Sequence, residues 1–219
     1  QLILLKQNIE QHNLDVENTL IYACGHPGMI EDVKEKWNLE EKSYICFQPG
    51  AASGVGTPKI WRTENFAKLG TRISDDLGKT VVLIGDEGDN KNIISTFAWP
   101  ENVVNTAGRT SLCDLVGLLL GASVTIVHDS GIMHIANALN VPLIALYGPT
   151  DFSRTQPLGE SSKVLFSKTE YAGIMFNSLV SEKRLSEQIP YGKAMEGISV
   201  EDVYSAVEEL LGFEDSGGL

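Results

Sequence analysis

From Ser43 onward, apolar positions follow two alternating rhythms. Short, largely apolar runs occur at Tyr44–Gln48, Thr80–Ile84, Val103–Asn105, Val124–Val127 and Leu143–Tyr147. Between them apolar residues recur at helical spacing. Phe66, Leu69, Ile73 and Leu77 line one face of a helix with Thr63 as its N-cap, a further helix falls near Asn92–Ala98, and Ser111 caps a helix carrying Leu112, Leu115, Val116, Leu119 and Leu120. Another helix is predicted over Ile132–Leu139. Strands apolar on both faces belong to a parallel sheet covered on both sides. Their alternation with helices predicts an α/β fold, an open, doubly wound, Rossmann-like parallel sheet with right-handed crossovers. Ligands of such sheets bind beyond the carboxyl ends of the strands.

The two ends of the chain have a different grammar. Residues 1–40 read as mixed helix (Leu2–Ile9), a short strand (Thr19–Ala23) and a helix from Pro27 with Met29, Ile30, Val33 and Trp37 on one face. Gly173, Pro190, Gly192 and Gly197 break the stretch 168–197 into loop plus a short helix. A last helix is capped by Ser199, carries Val200, Val203, Ala206, Leu210 and Leu211 inward, and is predicted to stop at Gly212. The division predicted is a remnant or linker over 1–40, one domain over 41–213 and a disordered tail over 214–219. The chain starts with Gln1 and reads as a fragment or a processed product.

Charge narrows the partners. A net charge of −12 argues against nonspecific nucleic-acid binding, which needs a cationic surface, and against unaided attraction to anionic lipid. No apolar run approaches the roughly 20 residues of a membrane-spanning helix. Cys24, Cys46 and Cys113 lack any CxxC spacing and read as buried small hydrophobes.

Candidate chemistry concentrates at two strand-to-turn junctions. In Val127-His128-Asp129-Ser130-Gly131-Ile132, a strand gives way to a tight turn and a helix start. The amides of a helix's first turn lack intrahelical partners and, with the helix dipole, suit a phosphate. Ser130 and the amides of Gly131 and Ile132 are the direct candidates. Asp129 caps or shapes the turn. His134, one turn in, is a phosphate donor or, more commonly for a lone histidine on an apolar helix, a satisfied core residue. His128 reads as structural. At the other junction, Gln48-Pro49-Gly50-Ala51 leads through a glycine-rich stretch to Lys59-Ile60-Trp61. That stretch is neither a Rossmann GxGxxG nor a P-loop. Lys59 offers a point charge and Trp61 a flat apolar wall. Their commoner alternatives are a solvated lysine and a half-buried packing residue. The loop Gly85-Asp86-Glu87-Gly88-Asp89 offers carboxylates for a cation or for ribose hydroxyls, or is a plain solvated turn.

The order of these pieces is similar to the C-terminal half of family 9 glycosyltransferases, the ADP-heptose:lipopolysaccharide heptosyltransferases. The matching segments are Pro49-Gly50-Ala51, Lys59-x-Trp61, Val82-Leu83-Ile84-Gly85, Ala107-Gly108-Arg109-Thr110-Ser111-Leu112, Asp129-Ser130-Gly131-x-x-His134-x-Ala136 and Tyr147-Gly148-Pro149-Thr150. The resemblance implies half of a GT-B enzyme and an inverting transfer from ADP-heptose without metal or other cofactor. It gives catalytic roles to Lys59, neutralising the donor diphosphate, and to Asp129, near the transferred sugar or shaping its turn. Gly50, Ala51, Trp61, Ser130, Gly131 and His134 would line the substrate site, and Glu87 would take the adenosine ribose. The implied partners are the nucleotide-sugar donor and, through an N-terminal domain, the lipopolysaccharide core acceptor. The implied setting is the bacterial cytoplasm, peripheral at the inner membrane. Two departures stand out: Arg62 replaces the usual proline after Lys-x-Trp, and Ala194-Met195 stands where Cys-Met is common. The acceptor site and general base belong to the N-terminal half, so the chain alone is expected to bind donor without transferring it. Rival readings are a GT-B enzyme using another nucleotide sugar, an epimerase of that architecture, or a non-catalytic nucleotide-binding or interaction domain.

Overall fold

Six segments pair side by side, all parallel, in the order β3-β2-β1-β4-β5-β6. They are β1 Tyr44–Phe47, β2 Thr80–Leu83, β3 Val103–Asn105, β4 Val124–His128, β5 Leu143–Tyr147 and β6 Ser162–Phe166. This is a computed structural model, and it describes residues 27–51, 58–176 and 188–216. The expectations for Leu2–Ile9 and Thr19–Ala23 lie outside the described residues, as does Cys24.

Side chains alternate across each strand and so feed two cores. Ile45, Phe47, Val81, Leu83, Ile126 and Leu146 point to one face. There they meet Phe66, Leu69 and Ile73 of α2 (Thr63–Leu77) and Val203, Val207 and Leu210 of the closing helix, Val200–Ser216. Tyr44, Cys46, Val82, Val127 and Ala145 point to the other face. They meet Val33 of α1 (Pro27–Trp37), Leu118 and Leu119 of α4 (Leu112–Gly121), and Met133 and Ala136 of α5 (Gly131–Ala138). The short α3 (Glu87–Asp89) continues into a π-helical turn, Asn90–Ile94. Among the described residues the further helices are α6 (Phe152–Thr155), the closing α7, and short 3-10 turns at Ile174–Phe176 and Lys193–Met195. Helix α1 belongs to this packed unit although it precedes residue 41. A Cβ at Gly117 of α4 would strike the Met29 carbonyl of α1, so glycine lets the two helices close on each other.

Several sequence readings shift. β6 was not anticipated: Ser162 and Lys163 open it and every residue is only half-buried, as suits an edge strand. The helix expected near Asn92–Ala98 starts earlier, at Glu87, because Asp86 and Asp89 form a capping box there. Thr63 is the first helical residue and not the cap; its hydroxyl instead meets the Tyr191 hydroxyl at 3.0 Å. Helix α7 does not stop at Gly212 but runs to Ser216, so the tail expected from 214 is helical over its first three residues. Gly212 has neither a left-handed backbone nor a neighbour that a side chain would strike. Cys46 is buried as expected, whereas Cys113 is exposed on the outer face of α4.

Candidate functional site

The strand order reverses between β1 and β4, and in a doubly wound sheet that crevice is where ligands sit. Both junctions singled out in the sequence flank it. β1 and β4 are paired neighbours, and the Gln48 amide donates to the Ile126 carbonyl at 2.9 Å as the strands end. Just beyond, the Ser130 hydroxyl donates to Gln48 Oε1 at 2.8 Å. Ser130 occupies the N-cap of α5, yet its side chain makes no capping bond. The first-turn amides of α5 are therefore left for a ligand or water. The neighbouring helix differs: Ser111 accepts from the Asp114 amide, and Asp114 accepts from Ser111, which closes the start of α4.

A cavity of about 400 Å³ opens at this edge, within the size range of small-ligand sites. One wall is apolar, made by Leu112, Leu115, Ile132 and Ile135; the other is polar, with Gln48, Asp86, Asp89, Ser130 and the Gly131 backbone. Such a slot suits a molecule with a flat apolar part, hydroxyls and an anion. Among the described residues no group of three or more His, Cys, Asp or Glu side chains is placed to hold a metal ion.

Lys59 stands beside this opening with its ammonium 3.3 Å from Asp129 Oδ2, both side chains mostly buried. The pair joins the two junctions from opposite sides. Gly50 is buried where a Cβ would overlap the Asp89 carboxylate, which packs over the Gly50 backbone. Burial first, and the neighbouring Asp86 charge second, push the Asp89 carboxyl above its usual range, while its bond from the Asp86 amide opposes them.

Other sequence candidates land differently. Trp61 is not a ligand wall: it is fully buried, its indole N–H donates to the Ile198 carbonyl at 2.9 Å, and its ring meets Phe66 edge-on at 5.0 Å. The largest apolar side chain of that loop gains more by filling the core than by facing water. The Ala51 side chain is likewise spent on a small core with Ile60 and Ile93. Glu87 is exposed at the start of α3 and does not line the cavity; its neighbours Asp86 and Asp89 do. His134 is exposed, neither lining the cavity nor serving as the core residue expected of it, because Met133 and Ala136 take the inner face of α5. Arg62 lies over the Tyr191 ring at 5.8 Å, so the position where proline is usual packs against the closing segment.

Gln48 went unassigned in the sequence reading, and His128, read there as structural, has a more specific place. Gln48 was read as the end of a strand, yet it is buried and holds Ser130. His128 is wholly buried; its Nε2 accepts from the Trp61 amide at 3.0 Å and its Nδ1 meets the Gly50 carbonyl at 2.9 Å. An amide can only donate and a carbonyl can only accept, so the ring is neutral with its proton on Nδ1. The available signal was a polar residue at the end of each buried strand.

Burial pulls the His128 pKa down to about 4 from 6.5, helped by the Lys59 charge and opposed by the Gly50 bond and Asp129. Unfolded chains bind the extra proton in that window and the native state does not. Stability from this residue is present above pH 6.5 and is lost as pH falls toward 4, by about 3 kcal/mol. Urea unfolding at pH 7, 5.5 and 4.5 should show that slope, and His128→Gln should flatten it.

Gly131 is open, with nothing near a Cβ built on it and no left-handed backbone. Gly131→Ala is therefore expected to leave Tm within about 2 °C of the parent, since an alanine there meets no steric penalty. A larger drop in a thermal melt would show that this glycine is needed by the fold itself.

The parallel order of six strands, with its reversal between β1 and β4, defines a Rossmann-like fold of the kind found in GT-B heptosyltransferases. The model of glycosyltransferase family 9 (heptosyltransferase) matches residues 16–185, and the chain belongs to that family. It is 33% identical over 180 residues to lipooligosaccharide heptosyltransferase 2 of Haemophilus influenzae, covering 79% of this chain and 49% of that one. It is 36% identical over 139 residues to lipopolysaccharide heptosyltransferase 2 of Escherichia coli, covering 60% and 38%. The solved structure of E. coli ADP-heptose lps heptosyltransferase II superposes with a TM-score of 0.70 at 28% identity, covering 87% of this chain and 53% of the other. The chain spans about half the length, or less, of the curated relatives named here.

Proposed function

We propose that this chain is the donor-binding domain of an inverting, metal-independent heptosyltransferase of lipopolysaccharide core assembly, with ADP-heptose as donor. The observation that carries the reading is the uncapped start of α5 at Ser130–Gly131, facing the switch-point cavity with Lys59 and Asp129 beside it. The diphosphate lies on the first-turn amides of α5, with the Lys59 ammonium against it. The base rests on Leu112, Leu115, Ile132 and Ile135, and the ribose hydroxyls reach the carboxylates of the β2 loop. An acceptor hydroxyl attacks the anomeric carbon from the face opposite the nucleotide, the glycosidic bond to phosphate breaks, and ADP departs. The acceptor's proton passes to a base on the partnering N-terminal domain. Lys59 and the helix amides stabilise the charge that grows on the leaving phosphate, the role a metal plays elsewhere. Asp129 holds Lys59 in place before donor arrives.

The reading puts the enzyme in the bacterial cytoplasm, at the inner membrane surface where the acceptor is assembled. No helix among the described residues is long and apolar enough to cross a membrane. Thermal-shift titration with ADP, ADP-heptose, UDP and GDP tests the donor. At a hundredfold excess over Kd a ligand adds about 2.7 kcal/mol, a rise of about 5–10 °C in a domain of this size. ADP and ADP-heptose are expected to give that rise and UDP none. A preference for UDP would replace the substrate, and silence from all four would reject the donor role.

A further inference from the structure

Gly50 and Trp61 lie eleven positions apart in the chain, one on each flank of the glycine-rich stretch. A single ring joins them. His128, the last residue of β4, donates through Nδ1 to the Gly50 carbonyl and accepts through Nε2 from the Trp61 amide, at 2.9 and 3.0 Å. Phe66 of α2 packs edge-on against the imidazole with centroids 5.6 Å apart, which fixes the ring plane. Lys59 is two residues before Trp61, and Asp129 follows His128 directly; those two side chains meet at 3.3 Å. The ring therefore ties the backbone two residues from Lys59 to the residue that precedes Asp129, and so bears on the spacing between the Lys59 flank and the start of α5.

We propose that His128 is the positioning residue of the donor site: its imidazole ties the Gly50 and Trp61 backbones to the end of β4 and so fixes where Lys59 stands for the phosphates. This rests on the donor-binding reading for its consequence and on the ring's two hydrogen bonds for its geometry. The imidazole makes both bonds through the two nitrogens of one rigid ring, and each bond has a partial mimic. Asn places an amide near the Nδ1 position and keeps the bond to Gly50. Gln places an oxygen near Nε2 and keeps the bond from Trp61. Leu keeps neither. The two halves of the tie are therefore separable.

The experiment has two arms on the full chain. In the first, nitrogen-15 spectra of the histidines read the tautomer, and amide hydrogen exchange reads Trp61. The expected result is a proton on Nδ1, with the Trp61 amide protected in the parent and in His128→Gln but exchanging in His128→Asn and His128→Leu. A proton on Nε2, or Trp61 protection unchanged in all three variants, would overturn the proposal. In the second arm, ADP affinity is measured by calorimetry at a temperature where every variant is folded. A loss of about tenfold in His128→Leu, with smaller losses in the two partial mimics, is expected for a displaced phosphate contact. A residue that merely stabilises the fold would lower Tm and leave that affinity unmoved, which also overturns the proposal. Should the parent itself bind no ADP, the donor reading fails, and the exchange pattern alone then decides whether His128 sets the loop.

Discussion

Lys59→Ala is expected to weaken ADP binding by about tenfold to a hundredfold, because a hydrogen bond to a charged group is worth about 1.5–3 kcal/mol. The loss has two parts. The ammonium no longer meets the phosphates, and Asp129, mostly buried and 3.3 Å from where that ammonium stood, faces them as an anion. Removing the second part separates them: Lys59→Ala combined with Asp129→Asn should recover some of the affinity. Folding should weaken as well, by about 1–3 kcal/mol, since Asp129 is left mostly buried without its cation. Calorimetry with ADP, alongside a urea melt, checks both numbers. An affinity equal to the parent's would leave Lys59 as the structural partner of Asp129 and remove it from the donor site.

Gly50→Ala is the second large expectation. The added methyl would occupy the space of the Asp89 carboxylate. Asp89 has little room to yield: it is 4% exposed, it accepts from the Asp86 amide at 3.2 Å, and its own amide donates to Asp86 at 2.8 Å. Overpacking of this kind costs about 1–3 kcal/mol. The displacement also pulls on the Gly50 carbonyl that His128 holds, so ADP affinity should fall with stability. Asp89→Ala vacates the space, and the double variant Gly50→Ala with Asp89→Ala should be more stable than the sum of the single effects. Additive losses in denaturant melts would mean that the two residues do not share that space.

The architecture was readable because periodicity survives without tertiary context. Val103–Asn105 and Leu143–Tyr147 appear as strands at the bounds expected, and Ser111 and Ser199 cap their helices through Asp114 and Asp202. Elements on the margin were harder. β6 has half-buried residues and a polar start, so its pattern carries little signal, and the Asp86–Asp89 capping box moved a helix that apolar spacing placed later. In the site, the two junctions were visible as strand ends followed by small residues, and the structure brings Lys59 to Asp129 and Ser130 to the cavity. Side-chain direction was not visible. Trp61 is as apt for a ligand as for a core until α7 and Ile198 supply a partner, and Glu87 differs from Asp86 and Asp89 only in which way the turn points it. Gln48 was passed over, and His128 was read only as structural, because a polar residue closing a buried strand gains its meaning from groups far away in sequence.

The indole of Trp61 reaches through the core to the Ile198 carbonyl, immediately ahead of the closing helix. The rim of the cleft is thus moored from behind by the segment that leads into α7. Trimming the chain ahead of Ile198 would strand a buried donor and loosen Lys59 without touching a single ligand contact. Any tilt of that terminal rod, whether from truncation, fusion or docking of a neighbouring domain, would reach the phosphate pocket through one tryptophan.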